Sequence, residues 1–500
     1  LAVAAILALT FIAYFPSLHN NLLKTWDDQA YVAKNELVKS LSSQNIMKIF
    51  REDKGQYANY HPLTTLSLAV NYHFSKEEPF GYHLTNLLLH LLNTLLVFIF
   101  IYLLARNNLE IAAFAALLFG LNPMHVESVA WISERKDVLY AFFFLASMIT
   151  YLLFVRRSDW KWYIFSIVLF ICSILSKAMA ASLPLALILV GFMEKRKWSW
   201  KLLPDKVPYV LIAILLGLYA IRIQAEGKAI GQIIFPFFMR VLHAAYGYTV
   251  YLLKITVPVQ LSAFYPYPYP LVNSSWITNQ IPAVLYLTLI VTVIIFLFSL
   301  WCIASGKKDL QPLGFGLLFY ASTIALVLQF LPVGRAIMAD RYAYIPSIGV
   351  CYIIAHYAAR LYRRNSWKIP VTGLVILYAG FFFFQAMQQT RIWKDDETLW
   401  DNVIRIYPSD NRVALAYANR AQAYQEQGKT REALQDYLLV SQWNPKDENA
   451  LDKIGKIYGK DLHDLETSIK YFNEAHRINP AYLDAIIDLA TAYGIKGRYD

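Results

Sequence analysis

Two adjacent aspartates, Asp27 and Asp28, follow a tryptophan in the stretch NNLLKTWDDQAYV, shortly after an apolar N-terminal segment. A carboxylate in such a place can take the proton from an attacking hydroxyl and so serve as a general base. An acidic pair in a loop is equally consistent with an ordinary solvated turn. The surroundings of the pair must therefore decide between an active site at a membrane surface and a structural loop.

Two further stretches carry charges between apolar segments. NPMHVESVAWISERKDVLY contains His125 and Glu127 and then a run of mixed charges that includes Arg135 and Lys136. Arginine offers forked donors and lysine a point charge, so this run could bind a phosphate, although most charge runs are solvated turns. LPVGRAIMADRYAYIPS adds two more cations, Arg335 and Arg341.

The loop between the first two apolar segments, residues 17–82, is long enough to suggest a function of its own. Its stretch NYHPLT predicts a helix that starts with proline directly after His61. In the following YHLTNLLLHLLN, spacings of three and four place polar side chains on one stripe, predicted to face the protein interior: His83, Asn86, His90 and Asn93. Within spans, such groups are more often helix–helix hydrogen bonds than ligands. The histidines lack metal-ligand spacing, so we expect no metal and no cofactor.

Composition indicates a membrane protein that crosses the bilayer several times. Of the 500 residues, 57% are hydrophobic and only 16% charged, and the mean hydropathy is positive. Many apolar runs approach the roughly 20 residues that a helix needs to cross a bilayer. Hydropathy predicts eleven spans, near residues 1–16, 83–105, 109–125, 137–155, 161–176, 179–193, 208–223, 281–303, 312–332, 341–361 and 369–387.

Basic residues in short loops predict the orientation of these spans, because lysine and arginine accumulate on the cytoplasmic side. Four basic clusters placed inside put the N-terminus in the cytoplasm, and put the loop 17–82 and the C-terminal region outside. The segment 233–258 contains Arg240, His243 and Lys254, and a single crossing there would break the charge pattern. We therefore predict a re-entrant or interfacial helix pair in this segment.

The composition changes after residue 387. In residues 388–500, a pattern of small, aromatic and proline residues repeats with a period near 34. Tyr424 and Pro445 of one copy match Tyr458 and Pro480 of the next once a one-residue insertion is allowed. This is the signature of tetratricopeptide repeats, which stack helix pairs into an α-solenoid. A third copy begins at Tyr493, and we expect further repeats to follow.

The motifs as a set resemble a known family. In chain order they are WDD, YHPLT, YHLTNLLLHLLN, LFGLNPMHVESVAWISERKDVL, RYAYIPSIG, RIWKDDETLW and the repeats. This order resembles the transmembrane and tetratricopeptide-repeat O-mannosyltransferases and their bacterial relatives among the polyprenyl-phosphate-sugar-dependent glycosyltransferases of the GT-C fold. Eukaryotic members carry an arginine where this chain has His61, so their acceptor specificity is not transferred.

The resemblance implies an all-α protein with a GT-C-type membrane domain at 1–387 and the repeat region at 388–500. It implies transfer of a sugar, mannose in the named family, from a polyprenyl-phosphate donor to a protein hydroxyl or glycan on the extracytoplasmic side. The repeats would hold the acceptor, and a bacterial inner membrane is the favoured location. No nucleic acid is expected as a partner.

The resemblance also assigns roles to residues. An acid of the first outer loop acts as catalytic base or positions the acceptor, a role that falls on Asp28 or Asp27, with Asp28 preferred here. Independently of the resemblance, the charge that develops on the leaving phosphate requires cations, and the outer-side candidates to bind the donor phosphate are Arg135, Lys136, Arg335 and Arg341. His61, His125 and Glu127 are expected to line the site. A single inverting displacement is expected, although Glu127 as a second acid would leave the stereochemistry open.

Two other functions compete with this one. The chain could be a non-enzymatic scaffold that recruits partners through its repeats, but so many spans exceed what an anchor requires. It could be a transporter or lipid flippase, which predicts related halves and ionisable residues near the bilayer midplane. No internal repeat of spans is visible, and Lys254 is the one residue that fits this reading.

Overall fold

The structure is a computed structural model that describes residues 1–52, 59–194, 203–226, 235–269, 281–330 and 335–497. Most of the described residues are helical, and none of them lies in a β-strand. They form two compact units. The first unit comprises residues 1–22, 27–261 and 271–394, and the second comprises 23–26, 262–270 and 395–500. The basic cluster at 195–201 that was used to predict orientation lies outside the described residues.

Fifteen α-helices make up the described part of the first unit. The first eight are α1 (Ala2–Tyr14), α2 (Ser43–Glu52), α3 (Pro62–Ser75), α4 (Pro79–Leu104), α5 (Leu109–Leu121), α6 (Val126–Ala130), α7 (Arg135–Arg157) and α8 (Trp160–Ser176). The others are α9 (Leu183–Met193), α10 (Val207–Glu226), α11 (Phe237–Thr256), α12 (Ala283–Ala304), α13 (Gln311–Ile324), α14 (Ser347–Tyr362) and α15 (Lys368–Ile392).

Six helical segments in the described residues are long and apolar enough to cross a membrane, and a seventh is possible if the bent pair α5–α6 counts as one span. The pair bends by 51° between Leu121 and Pro123. Three other predicted spans correspond to shorter apolar helices, at Trp160–Ser176, Ala178–Met193 and Gln311–Val327. The chain is therefore an integral membrane protein, and the number of eleven spans stays a prediction.

The segment predicted as a re-entrant helix pair has a different structure. Within its described residues it forms the single unbroken helix α11, which runs for 20 residues. The prediction of a pair is wrong. It rested on the charge pattern of the loops and on polar side chains, but His243 is fully buried in this fold and Lys254 donates to the carbonyls of Val259 and Gln260, both at 2.9 Å. Polar residues in an apolar segment therefore do not require a break in the helix.

The polar stripe on α4 packs inside the first unit, as predicted. His83, Asn86, His90 and Asn93 are each at most 1% exposed. His90 Nδ1 lies 2.7 Å from the Tyr344 hydroxyl, and Asn93 donates to the carbonyl of Val138 at 2.9 Å. These bonds fix α4 against α7 and against the segment before α14, which is where the charged residues gather.

The second unit contains α16 (Asp396–Ile406), α17 (Ala414–Glu426), α18 (Thr430–Trp443), α19 (Glu448–Lys456), α20 (Leu465–Ile478) and α21 (Leu483–Ile495). Asp395 caps α16 through a reciprocal capping box with Thr398. Small and aromatic residues pack between consecutive helices, with Ala421, Ala433 and Tyr437 in one buried cluster. These helices therefore pack in sequential order.

Candidate active site

The two aspartates of the acidic pair point in different directions. Asp28 is 1% exposed, and its Oδ1 accepts hydrogen bonds from the backbone N–H of Ser133 at 2.9 Å and from the Ser133 hydroxyl at 2.5 Å. Ser133 lies in the short helix Ile132–Glu134 that leads into α7. Asp28 therefore fastens the first loop to the start of α7.

Asp27, by contrast, is half-buried, and its carboxylate makes no hydrogen bond or ion pair with the described residues. Burial raises the pKa of this carboxyl above its ordinary value. The charges of Lys136 and Arg341 oppose that rise, and the charge of Glu134 adds to it. Asp27 is thus close to the charged residues at the start of α7 and remains available to a ligand.

A buried carboxylate shared by three cations lies at the centre of these charges. Glu134 is 1% exposed, and its Oε1 lies 3.1 Å from Lys136 Nζ and 3.2 Å from Arg341 Nε. Its Oε2 lies 3.4 Å from Lys177 Nζ. The cations come from three separate segments: the first turn of α7, the residue after α8, and the short helix Asp340–Ala343. We call Glu134, Lys136, Lys177 and Arg341 the shared-anion cluster.

Two of the cations also have an acid of their own. Lys177 Nζ lies 2.5 Å from Asp137 Oδ1. Glu127 accepts from the guanidinium of Arg341, and also from its backbone N–H at 2.9 Å. The three cations and three buried carboxylates balance in charge, which is the condition for keeping such groups out of water.

Aromatic rings form part of the surroundings of the cations. Lys136 Nζ lies 4.6 Å from the ring centre of Tyr31, and the guanidinium of Arg341 lies 4.9 Å from that of Tyr342. Rings at these distances attract cations through their π faces while limiting the access of water. The cations are consequently held in fixed, poorly hydrated positions, where they interact strongly with an anion.

Arg135 and Arg335 do not join this cluster, although both were predicted to bind the donor phosphate. Arg135 is fully buried and donates to neutral acceptors on α3 and α4: Ser67 at 2.9 Å, Asn71 at 2.8 Å, the Tyr82 carbonyl at 2.9 Å, and the Asn86 amide oxygen. It therefore joins three helices. Arg335 is exposed and makes no ion pair with any described residue.

The two candidate histidines differ. His61 precedes α3, which begins with Pro62 as predicted, and its Nδ1 is buried without a hydrogen-bond partner among the described residues. Burial, followed by the charges of Lys136 and Lys177, lowers the pKa of His61 to about 3, so the ring is neutral and lies near the cluster. His125 lies elsewhere, with Nε2 at 3.0 Å from the Ser347 hydroxyl and its ring packed on Phe119.

Sequence reasoning missed Lys177 and gave Glu134 and Asp137 no role of their own. Lys177 stands alone between two apolar stretches, in ILSKAMA, and so lacked the neighbouring charges that mark a cluster. A lone lysine within an apolar stretch needs a partner, and that requirement is the signal that could have identified it. Among the described residues, no three His, Cys, Asp or Glu side chains are arranged to hold a metal ion.

Comparison with known families gives two matches. Residues 83–222 match the family described as dolichyl-phosphate-mannose-protein mannosyltransferase. This range includes α7 with its charged start and Lys177. Residues 414–447, which form α17 and α18, match a tetratricopeptide repeat.

Curated proteins similar to this chain bear the name protein O-mannosyl-transferase. Human TMTC1 is 24% identical over 80% of this chain and 50% of its own length. The Caenorhabditis elegans protein F38B6.6 is 23% identical over 89% of this chain and 63% of its own length. Drosophila melanogaster Tmtc3 is 25% identical over 87% of this chain and 55% of its own length. The chain thus spans about half to two thirds of the length of these relatives.

A solved structure, that of ArnT from Cupriavidus metallidurans bound to undecaprenyl phosphate, aligns with a TM-score of 0.39 and 15% identity. The alignment covers 91% of this chain and 80% of that one. The resemblance inferred from the motifs is confirmed by the family and relative matches together. The chain is similar to protein O-mannosyl-transferases over most of its length, and it carries a tetratricopeptide repeat.

Proposed function

We propose that this protein is a membrane glycosyltransferase that moves a sugar from a polyprenyl-phosphate donor to a hydroxyl on a protein or glycan at the extracytoplasmic face. Mannose is the sugar named in the matching family and relatives, and it is the sugar we propose here. The observation that carries the proposal is the half-buried Asp27 carboxylate, which makes no hydrogen bond or ion pair with the described residues and interacts electrostatically with the cations Lys136 and Arg341.

The proposed reaction uses Asp27 as general base. The acceptor hydroxyl donates its proton to the Asp27 carboxylate while its oxygen attacks the anomeric carbon of the sugar. The bond between that carbon and the phosphate oxygen breaks, and its electron pair stays on the leaving polyprenyl phosphate. A phosphate is already a good leaving group, so the departing charge requires nearby cations rather than an acid. Lys136, Lys177 and Arg341 are proposed to supply them.

A single displacement with inversion is the proposed stereochemical course. A double displacement needs a second carboxylate that can act as nucleophile. Glu127, the candidate for that role, accepts two hydrogen bonds from Arg341 and is 2% exposed. Asp28 is held by Ser133 in the same way. These contacts support Asp27 as the reacting acid, and we propose that Asp28, which was preferred from the sequence, supports the loop.

The repeats are proposed to hold the acceptor, because stacked helix pairs present extended surfaces that bind peptides. We propose with it a GT-C-type membrane domain of eleven spans, with the repeats on the extracytoplasmic side. In the scaffold alternative the repeats would bind partners without any transfer.

The test is a transfer assay in membranes supplied with polyprenyl phosphate bearing a radiolabelled mannose and an acceptor peptide. Asp27→Asn keeps the shape of the side chain and removes the base, so transfer should fall by about 10²-fold or more. The matched control is Glu36→Gln, since Glu36 lies in the same loop, is 81% exposed and pairs only with Lys39 among the described residues. Undiminished transfer by well-expressed Asp27→Asn would contradict the assignment of the base, and absence of transfer by the wild type would favour the scaffold.

A further inference from the structure

Glu134 occupies a position that a phosphate group would fit. Its two oxygens are surrounded by the nitrogens of Lys136, Lys177 and Arg341 at 3.1–3.4 Å. Two lysines and an arginine, converging from three segments on one small anion, form the arrangement that proteins use to bind phosphate. Here the anion comes from the protein itself.

The cations differ in how much they depend on Glu134. Lys177 keeps Asp137 and Arg341 keeps Glu127 when Glu134 is ignored. Among the described residues, Lys136 contacts the hydroxyl of Tyr31 at 3.4 Å and its ring in addition to Glu134. If another anion took the place of Glu134, the ion pairs Lys177–Asp137 and Arg341–Glu127 would therefore remain intact.

A second observation points to a ligand at this place. His61 is 7% exposed, is electrostatically close to Lys136 and Lys177, and has a buried Nδ1 with no hydrogen-bond partner among the described residues. Buried polar atoms without partners are rare, and each requires a reason. A phosphate oxygen or sugar hydroxyl beside the cluster would satisfy this nitrogen.

We propose that Glu134 is an internal counter-ion that holds the three cations in position in the absence of substrate and competes with the donor phosphate for them. This inference rests on the proposed function and adds a specificity-determining residue to it. Glu134 keeps the cations ordered and weakens the binding of phosphate. After sugar transfer, the carboxylate of Glu134 consequently displaces the polyprenyl phosphate from the three cations.

If Glu134 competes with the donor phosphate, removing its charge should raise the affinity for polyprenyl phosphate, whereas removing an ordinary binding residue lowers it. Glu134→Gln retains the shape of the side chain and removes the negative charge, so polyprenyl phosphate should bind the variant about tenfold more tightly than the wild type. If Glu134 only supported the cations, its loss would weaken binding. Lys136→Met should weaken binding in both backgrounds.

The experiment measures equilibrium binding of radiolabelled short-chain polyprenyl phosphate to the full purified chain in detergent. A parallel arm with inorganic phosphate separates recognition of the phosphate group from recognition of the lipid. Tighter binding of both probes by Glu134→Gln supports the competition. Tighter binding of the lipid alone also supports it and shows that the chain contributes. Weaker or unchanged binding by the variant overturns it.

A second variant covers the case in which Glu134→Gln fails to fold. Glu134→Asp keeps the charge but withdraws the carboxylate by one methylene, so its affinity should lie between those of the wild type and Glu134→Gln. A lowered affinity of Glu134→Asp overturns the proposal by itself. The glycosyltransferase proposal fails separately, if the wild type binds no polyprenyl phosphate or if Asp27→Asn transfers sugar normally. Glu36→Gln is again the control and should bind like the wild type.

Discussion

Two arginines, one in each unit, have nearly the same immediate surroundings. Arg341 bridges Glu127 and Glu134, and Arg420 bridges Asp401 and Asp436. Each side chain is 18% exposed. Each also lies within 5.5 Å of two aromatic ring centres. An arginine between two acids and two rings is therefore not in itself a sign of function.

The difference lies in the acids. Glu127 and Glu134 are at most 2% exposed, and Glu134 is shared with two lysines from other segments. Asp401 is 46% exposed, and Asp436, which is 8% exposed, accepts two hydrogen bonds of 2.8 Å from Arg420 alone among these cations. The repeat arginine closes a bridge between neighbouring helices, whereas the shared-anion cluster concentrates cations around one anion. Sharing of a buried charge across segments, rather than pairing, distinguishes the candidate site.

The largest expected effect comes from removing the two arginines in turn. Arg341→Gln leaves the buried Glu127 without its cation and Glu134 with two of its three cations, so local opening of the first unit should become easier by about 3 kcal/mol or more. Arg420→Gln should cost less, about 2 kcal/mol, because the exposed Asp401 regains water and Asp436, at 8% exposed, is less deeply buried than Glu127. Hydrogen exchange of peptides from each unit measures both opening free energies. Equal losses would show that burial of the acids does not govern the difference.

A smaller effect is expected at two buried serines. Ser133 donates to the charged Asp28, and Ser468 donates to the neutral carbonyl of Gly455 at 2.8 Å. Hydrogen bonds to charged groups contribute more, so Ser133→Ala should destabilise by about 2 kcal/mol and Ser468→Ala by about 1 kcal/mol. Sugar transfer should fall only in Ser133→Ala, because the loop that carries Asp27 loosens. A larger loss of stability in Ser468→Ala than in Ser133→Ala would show that the hydrogen bond from Ser133 to the charged Asp28 contributes no more than a neutral one.

The pH dependence should follow Asp27 in the first unit. Its raised pKa means that the folded state holds this proton more tightly than the unfolded chain does. Stability from this group is therefore present at low pH and is lost as the pH rises through the raised pKa. Transfer has the opposite dependence and should fall about tenfold per pH unit below that pKa. The profile of kcat/KM against pH measures this limb, which Asp27→Asn should lack.

Asp410 of the second unit provides the comparison. Its burial would raise its pKa, but hydrogen bonds from Arg412 outweigh burial and lower the pKa. Its contribution to stability is therefore present above the ordinary pKa of an aspartate and is lost as the pH falls through the lowered value. Asp410→Asn should abolish this acid sensitivity of the repeats and leave transfer unchanged. A shifted transfer profile would mean that Asp27 does not govern it.

Much of the fold could be predicted because hydropathy and short-range patterns are local. The stripe of His90 and Asn93 follows from helical spacing, and the start of α3 follows from Pro62. The structure of α11 was predicted wrongly because a buried histidine and a lysine that bonds to carbonyls just beyond the helix end both fit a single helix.

For the candidate site, the sequence predicted which segments contribute residues but not which side chains contact one another. The side chains of Asp27 and Asp28 point in different directions. The sequence alone does not show that Ser133, 105 positions away, will hydrogen-bond to Asp28. The same holds for Arg135 and Lys136, which are neighbours in sequence but face α4 and Tyr31 respectively. Lys177 needed the packing of α8 against α7 before its partners Glu134 and Asp137 could be known.

The smallest expected effect tests the claim that the ion pairs of the repeats are ordinary. Lys429 pairs with Glu397 at 2.7 Å, but the two side chains are 40% and 27% exposed. Pairs of this kind are screened by salt and lose side-chain entropy, so Lys429→Met should change the opening free energy of α16–α18 by less than about 1 kcal/mol. Hydrogen exchange at low and high salt measures it. If Lys429→Met lowered the opening free energy more than Arg420→Gln does, the exposure of an ion pair would not predict its contribution to stability in this unit. The contrast with the shared-anion cluster would then rest only on the sharing of Glu134 by three cations.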